Sequence, residues 1–215
     1  HSAGLTRQLL AFSRHGQYQQ APVNVDTRIG EVISILRRSL DKNIKITKHL
    51  EAKTPTVMGD ESQLQNALLN LAINARDAMP HGGTLDFSSK NVFIEKNASN
   101  EFDENFAEGH YLQISVSDTG VGISSEHLSQ IFEPFFTTKE PGQGTGMGLA
   151  AVYGTVQGHN GQIRVCSEKG HGTTFNVYLP VTTESVQPQK ADEPPPRQEN
   201  ARYRIWVIDD EKTVR

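Results

Sequence analysis

With 215 residues the chain suits one full domain and a sizeable core, with extra material beyond it. Its hydrophobic content of 35% and its 18 glycines leave room for loops and linkers, and a net charge of −4 gives no electrostatic case for nucleic acid or an anionic membrane. A single cysteine, Cys166, excludes an internal disulfide and a cysteine-based metal site and fits a reducing, cytoplasmic setting. No apolar run approaches the ~20 residues needed to cross a bilayer, and no signal peptide opens the chain.

The chain lacks an initiator methionine, begins inside a helical pattern and stops inside a strand–loop pattern, so it reads as a piece of a longer protein. Leu5, Leu9 and Phe12 at helical spacing make 3–13 the last turns of an amphipathic helix, either an ordinary surface helix or the continuation of a bundle. Val23 to Val25 suits a short strand. Asp26 is a candidate N-cap for a helix over Thr27–Leu40, carried by Ile29, Val32, Ile33, Leu36 and Leu40. Residues 44–50 alternate as a strand. Asp60 and Gln63 form a capping-box-like start to a long helix ending near Met79.

On that helix Leu64, Leu68, Leu71, Ala75 and Ala78 form one apolar stripe, and Leu69 with Ile73 form a second. A helix apolar on two sides is expected to be mostly buried. Yet Asn66, Asn70, Asn74 and Asp77 share a polar stripe between them. Buried amides without partners cost about 1–3 kcal/mol each, so the stripe faces either an internal hydrogen-bond network or a polar ligand.

Thr84–Phe93 and Tyr111–Ser117 read as strands, separated by a polar span, 95–109, without a packing signal. The second strand breaks at Asp118-Thr-Gly-Val-Gly122. Ser124 caps a short helix over 125–130, and the link 132–146 is rich in Gly, Thr and Lys, the profile of a lid. Gly144-Thr-Gly-Met-Gly-Leu149 opens onto a helix over 147–157. Glycines there let bare backbone approach a ligand, and a helix N-terminus offers unpaired N–H groups to phosphate. Asp118 supplies a fixed acceptor suited to an exocyclic amine such as that of adenine. Strands over 162–167 and 173–179 form a hairpin. Val181 to Ala201, with Pro194-Pro-Pro196, is a linker, and Arg204–Ile208 a buried-type strand ending in Asp209-Asp-Glu211.

In this order the motifs resemble those of the catalytic ATP-binding domain of bacterial sensor histidine kinases. Asn70-Leu-Ala-Ile-Asn-Ala-Arg-Asp-Ala-Met79 looks like the N box, and Asp118-Thr-Gly-Val-Gly122 like the first glycine box. Phe132-Glu-Pro-Phe-Phe136 looks like the F box, Gly144-Thr-Gly-Met-Gly148 like the second glycine box, and Gly170-His-Gly-Thr173 like a further one. The resemblance covers residues 22–182. It also makes 1–15 the end of the dimerisation and phosphoacceptor hairpin, 183–202 a flexible linker and 203–215 the start of a receiver domain, with Asp209 and Asp210 as its acidic Mg²⁺ pair.

The fold so implied is a two-layer α/β (α+β) sandwich of the Bergerat type, a mixed, mostly antiparallel sheet of about five strands covered on one face by three helices. The cofactors implied are ATP and Mg²⁺. Asp118 would accept from the adenine amine, Gly120 and Gly122 shape that wall, and Thr173 support the adenine end. Asn74 would hold Mg²⁺, with Asn70 beside the phosphates. Gly144, Thr145, Gly146, Met147, Gly148 and Leu149 would close on the triphosphate. Lys139 is either a phosphate-reaching cation or a solvated loop lysine, and Asp77 sits at a polar N-box position. All eight histidines read as loop, surface or packing residues.

The partners implied are the protein's own upstream hairpin, which carries the phosphoacceptor histidine, and a receiver, in a parent that is a homodimer. This piece alone reads as a monomer without nucleic-acid or membrane contact. Three functions compete: a histidine kinase, an ATP hydrolase of the same architecture, and a nucleotide-sensing module. Hydrolytic relatives place a glutamate general base one turn before the metal-binding asparagine, where this chain has Asn70. An amide cannot take that proton, which favours the kinase.

Overall fold

The computed structural model describes residues 20–39, 43–95, 106–140 and 144–182. The features expected at 1–15, 183–202 and 203–215, and most of the span 95–109, lie outside the described residues. In chain order the elements are β1 (Ala21–Asn24), α1 (Val25–Ser39), β2 (Ile44–Leu50), β3 (Thr56–Gly59), α2 (Glu61–Asp77), β4 (Gly83–Ile94), β5 (Gly109–Asp118), α3 (Ser125–Leu128), α4 (Gly148–Gly158), β6 (Gln162–Glu168) and β7 (Gly172–Pro180).

Five strands make the main sheet in the order β2-β4-β5-β7-β6, parallel only between β2 and β4. A parallel pair needs a crossover, and the chain from Leu50 to Gly83 supplies it through β3 and α2. β1 and β3 pair antiparallel as a separate ribbon, and Val181 bridges to Val57, so the chain leaves β7 beside β3.

The sheet alternates cleanly. Leu112, Ile114, Val116 and Asp118 of β5, with Phe175, Val177 and Leu179 of β7, face the helices and are buried. Gln113, Ser115 and Asn176 on the opposite face hydrogen-bond to one another. Such alternation is what an antiparallel sheet covered on one side requires. The core adds Ile29, Val32, Ile33 and Leu36 of α1, Leu64, Leu68 and Leu71 of α2, and Val152 and Val156 of α4. Each such side chain contributes roughly 1.5–3 kcal/mol by leaving water.

Several local expectations are corrected. Helix α1 starts at Val25, because the Asn24 side chain, not Asp26, accepts the Thr27 N–H; Asp26 instead accepts from the buried Ser89 hydroxyl. The Asp60 cap accepts from Gln63 N–H, but the reciprocal half of the box is absent: the Asp60 N–H donates to His159 Nε2. Ile73 is exposed and Leu69 half-buried, so α2 is apolar on one side only. Helix α3 ends at Leu128, and Ser124 makes no side-chain cap bond to it. The span after β4 does pack at its end, where Phe106 stacks on Tyr111, beside Ile94 and Tyr178 on the otherwise polar face.

Candidate functional site

The C-terminal half of α2, the turn after β5, the tip of the β6–β7 hairpin and the start of α4 lie side by side. Helix α2 stops where the carbonyl of its C-cap residue, Ala78, meets the turn: Val121 N–H donates to Ala78 O at 2.9 Å. A Cβ on Gly120 would fall 2.4 Å from that same oxygen, so only glycine lets the turn come so close. Gly122 has φ +67, and a Cβ there would strike the Glu168 carbonyl of the hairpin. The two glycines therefore fix the turn by contact with protein, whatever else approaches it.

Asp118, at the end of β5, is 8% exposed. Its Oδ1 accepts the Gly120 N–H at 2.8 Å. Burial pushes its carboxyl above the ordinary value, and the Gly120 and Thr173 backbone N–H groups offset that only in part. Thr173 lies opposite Asp118 in the ladder, and both border a cavity of about 320 Å³ together with Ser167, Glu168 and His171.

The other end is built by α2 and α4. Asn74 Nδ2 is buried and has no hydrogen-bond partner among the described residues. It lies where a Cβ on Gly148 would be 3.8 Å away, beside the first residue of α4. Met147 precedes that helix without any side-chain cap, so its leading N–H groups keep the unpaired character of a helix start. Asn70 is half-buried one turn earlier on the same stripe, and Asn66, further back, is exposed.

The link from Phe132 is anchored by its aromatic residues. Phe132 packs on Tyr153 of α4 and Phe175 of β7, and Phe136 on His127. Phe135 is 62% exposed at φ 69, and its N–H donates to Gly146 O at 3.0 Å. Gly146, at φ +65, has no room for a Cβ against the Phe135 backbone, which couples the aromatic end of the link to its glycine-rich end. Gly144 lies against Thr137 and Lys139, Met147 N–H meets Thr145 Oγ1, and Leu149 packs on the core.

Lys139 Nζ pairs with Asp77 Oδ2, while Arg76 holds Asp77 Oδ1 at 2.6 Å. Burial alone would raise the Asp77 carboxyl, but the hydrogen bonds and charges of Lys139 and Arg76 outweigh it and hold the group below its ordinary value. The expected site residues thus fall into two groups, Asp118, Gly120, Gly122 and Thr173 at one end, and Asn74, Asp77, Lys139, Gly144 and Gly148 at the other. Sequence reasoning missed Arg76, which only the pairing around Asp77 reveals, and Ser167, an ordinary serine in an alternating strand.

A buried acceptor at a strand end, an uncapped glycine-led helix and an unpaired amide beside it suit an amine-bearing base and a phosphate chain on an α/β sandwich. Residues 59–183 match the family described as histidine kinase-, DNA gyrase B- and HSP90-like ATPase. The chain belongs to that family, whose nucleotide is ATP, and the curated relatives it resembles are named sensor kinases and sensor histidine kinases.

Sensor kinase CckA of Brucella abortus (strain 2308) is 38% identical over 194 residues, 90% of this chain and 20% of that protein. Sensor histidine kinase ZraS of Escherichia coli (strain K12) is 32% identical over 168 residues, 78% of this chain and 32% of that protein. The chain thus spans between 20% and 32% of the length of these relatives. Among solved structures, the mycobacterial sensor histidine kinase MprB superposes with a TM-score of 0.59 at 27% identity, covering 75% of this chain and 97% of that one. Full-length ShkA in complex with AMPPNP superposes at 0.65 and 26% identity, covering 85% of this chain and 36% of that one.

Proposed function

We propose that this chain is the catalytic module that moves the γ-phosphoryl group of ATP to a histidine on a helical hairpin of its parent protein, from which a receiver aspartate then takes it. The observation that carries the reading is the buried, unpaired amide of Asn74 beside the open start of α4. A half-turn of that amide presents Oδ1 in place of Nδ2, so the site has an oxygen donor next to a phosphate cradle. Among the described residues no three His, Cys, Asp or Glu side chains gather to hold a metal. Mg²⁺ commonly takes one or two protein ligands with phosphate oxygens and water, and Asn74 would be such a ligand. The ion would offset phosphate charge.

The remaining chemistry belongs to the chain's own groups. Asp118 accepts from the base amine and fixes the nucleotide's direction. The α4 N–H groups and the backbone of 144–148 hold the phosphates, and Lys139 is the nearby lid cation. Phosphoryl transfer is dominated by such positioning and charge stabilisation. The bond from the γ-phosphorus to the ADP oxygen breaks as an imidazole nitrogen bonds to phosphorus, and the charge left on ADP is met by these donors. Asn70 stands where hydrolytic relatives need a carboxylate base, so water gains no activation there. The presence of AMPPNP in the ShkA structure and the receiver-like 203–215 pattern agree with this reading.

The test is transfer in trans. The chain is mixed with γ-labelled ATP, Mg²⁺ and a separately made upstream hairpin of the parent, and both acid-labile protein label and free phosphate are followed. Label confined to the hairpin, lost on Asn74→Ala, is the expected result. Rapid phosphate release without protein label would assign the chain to the hydrolases, and nucleotide binding with neither product would leave a sensing module.

A further inference from the structure

Asp118, Thr173 and Ser167 form one row across β5, β7 and β6: Asp118 is paired with Thr173, and Thr173 with Ser167. All three border the same cavity. Ser167 Oγ lies 2.8 Å from the Ile123 N–H, 2.9 Å from the Gly172 carbonyl oxygen and 2.9 Å from Thr173 Oγ1. A serine hydroxyl owns one hydrogen and two lone pairs. The amide can only donate to it, and the carbonyl can only accept from it. Its single hydrogen therefore goes to Gly172 O, and its second lone pair takes the hydrogen of Thr173.

The reverse direction is worse. If Ser167 donated to Thr173, the Gly172 contact would lose its hydrogen, and the Thr173 hydrogen would find no other acceptor among the described residues. Thr173 is buried, so an idle donor there carries the usual penalty.

We infer that Ser167 is a specificity-determining positioning residue: by consuming the Thr173 hydrogen, it leaves Thr173 Oγ1, like the Asp118 carboxylate, able only to accept from a purine. This rests on the reading that the base binds at Asp118. The result is an edge made of acceptors. An exocyclic amine brings two N–H donors to it, as adenine does, whereas the exocyclic oxygen of guanine meets only oxygen lone pairs. Sites that must leave a polar group unpaired discriminate far more strongly than sites that merely change shape. Ser167 touches no nucleotide in this scheme and acts through the turn at Ile123 and the hydroxyl of Thr173.

The experiment measures ATP and GTP affinities of the full chain by displacement of a fluorescent ATP analogue in Mg²⁺. Ser167→Ala frees the Thr173 hydroxyl to rotate and donate, so the ATP-over-GTP ratio should fall by about tenfold. Ser167→Thr keeps the hydroxyl on a strand position and should keep the ratio. Thr173→Val should reproduce the fall in the ratio, and adding Ser167→Ala to it should lower the ratio no further. Both changes act on the ratio through one hydrogen bond, whatever the lost Ile123 and Gly172 bonds cost both affinities alike. A purely structural serine would give additive losses of both affinities with the ratio intact, and that result would overturn the inference.

If Ser167→Ala does not fold, Thr173→Val and Ser167→Thr decide the matter. A wild-type ratio in Thr173→Val, or a collapsed ratio in Ser167→Thr, counts against it. Asp118→Ala separates the two layers. If it abolishes discrimination while the Ser167 and Thr173 variants do not, only the inference fails. If it leaves discrimination unchanged, the base binds elsewhere and the underlying reading fails with it.

Discussion

Glycine residues that look alike in a motif do different work in this chain. Gly120 is forced by protein, since any Cβ there collides with Ala78 O, whereas a Cβ on Gly148 meets nothing closer than Asn74 Nδ2 at 3.8 Å. Gly120→Ala should therefore lower the thermal midpoint by several degrees. Gly148→Ala should leave the midpoint unchanged or raise it slightly, because alanine is the better helix former by up to ~1 kcal/mol, while weakening nucleotide binding. Calorimetry with a binding titration on both variants checks this; equal loss of stability in the two would contradict it.

Asp118 gives a pH signature. Its folded value lies above the ordinary 3.8, so its contribution to stability is complete below that value and is lost as pH rises through the folded value. Nucleotide binding runs the other way, because the ionised carboxylate is the better acceptor for an amine. Denaturant midpoints should fall, and ATP affinity should rise, across that window. Asp118→Asn should flatten both slopes. The position of Asp118 at a strand end was legible in the sequence, but its burial and the Ser167–Thr173 bond were not, because both depend on strands that meet only in the sheet.

At the scale of elements, the link 132–146 is anchored to the rest of the fold by aromatic packing and by an ion pair. Its aromatic end is packed on α4 and β7 through Phe132, and its charged end is tied to α2 by Lys139 and Asp77. The carboxylate is shared with Arg76, and Lys139 and Arg76 together hold its pKa below the ordinary value, so it stays ionised further into acid than a free carboxyl. Asp77→Asn should release Lys139 and speed tryptic cleavage after it several-fold at neutral pH. High salt should do the same in the unaltered chain, since the Lys139 side chain is 33% exposed and open to screening. An unchanged cleavage rate under both conditions would show that the aromatic anchor alone holds the link.

Helix positions were readable because their signals are local: Asp60 before Gln63, apolar residues at turns, and glycine ahead of α4. The start of α1 was misread because two acceptors, Asn24 and Asp26, lie within reach of one helix end, and the demand of Ser89 for a partner decides between them. The four-residue strand β3 gave no periodicity of its own and exists through its pairing with β1.

For the whole molecule, the order β2-β4-β5-β7-β6 puts Asp118 and Thr173 in the middle of the sheet's end, with α2 and α4 on the same face. The sequence showed the layers, since strand alternation and helix stripes each demand a covering surface. It could not show the parallel β2–β4 pair, which depends on a crossover of distant segments, nor His159 reaching from the end of α4 to cap the junction of β3 and α2. The two halves of the site are thereby joined through one core, and a nucleotide bound between them should report on both.

Residue-resolved amide NMR of the full chain, titrated with ATP and then with Mg²⁺, tests this most directly. ATP alone should shift Gly120, Gly122 and Thr173 together with the first residues of α4, and Mg²⁺ should then move the Asn74 side-chain amide. Shifts confined to the polar face of the sheet around Ser115 and Asn176, with the Asn74 amide unmoved, would contradict the account.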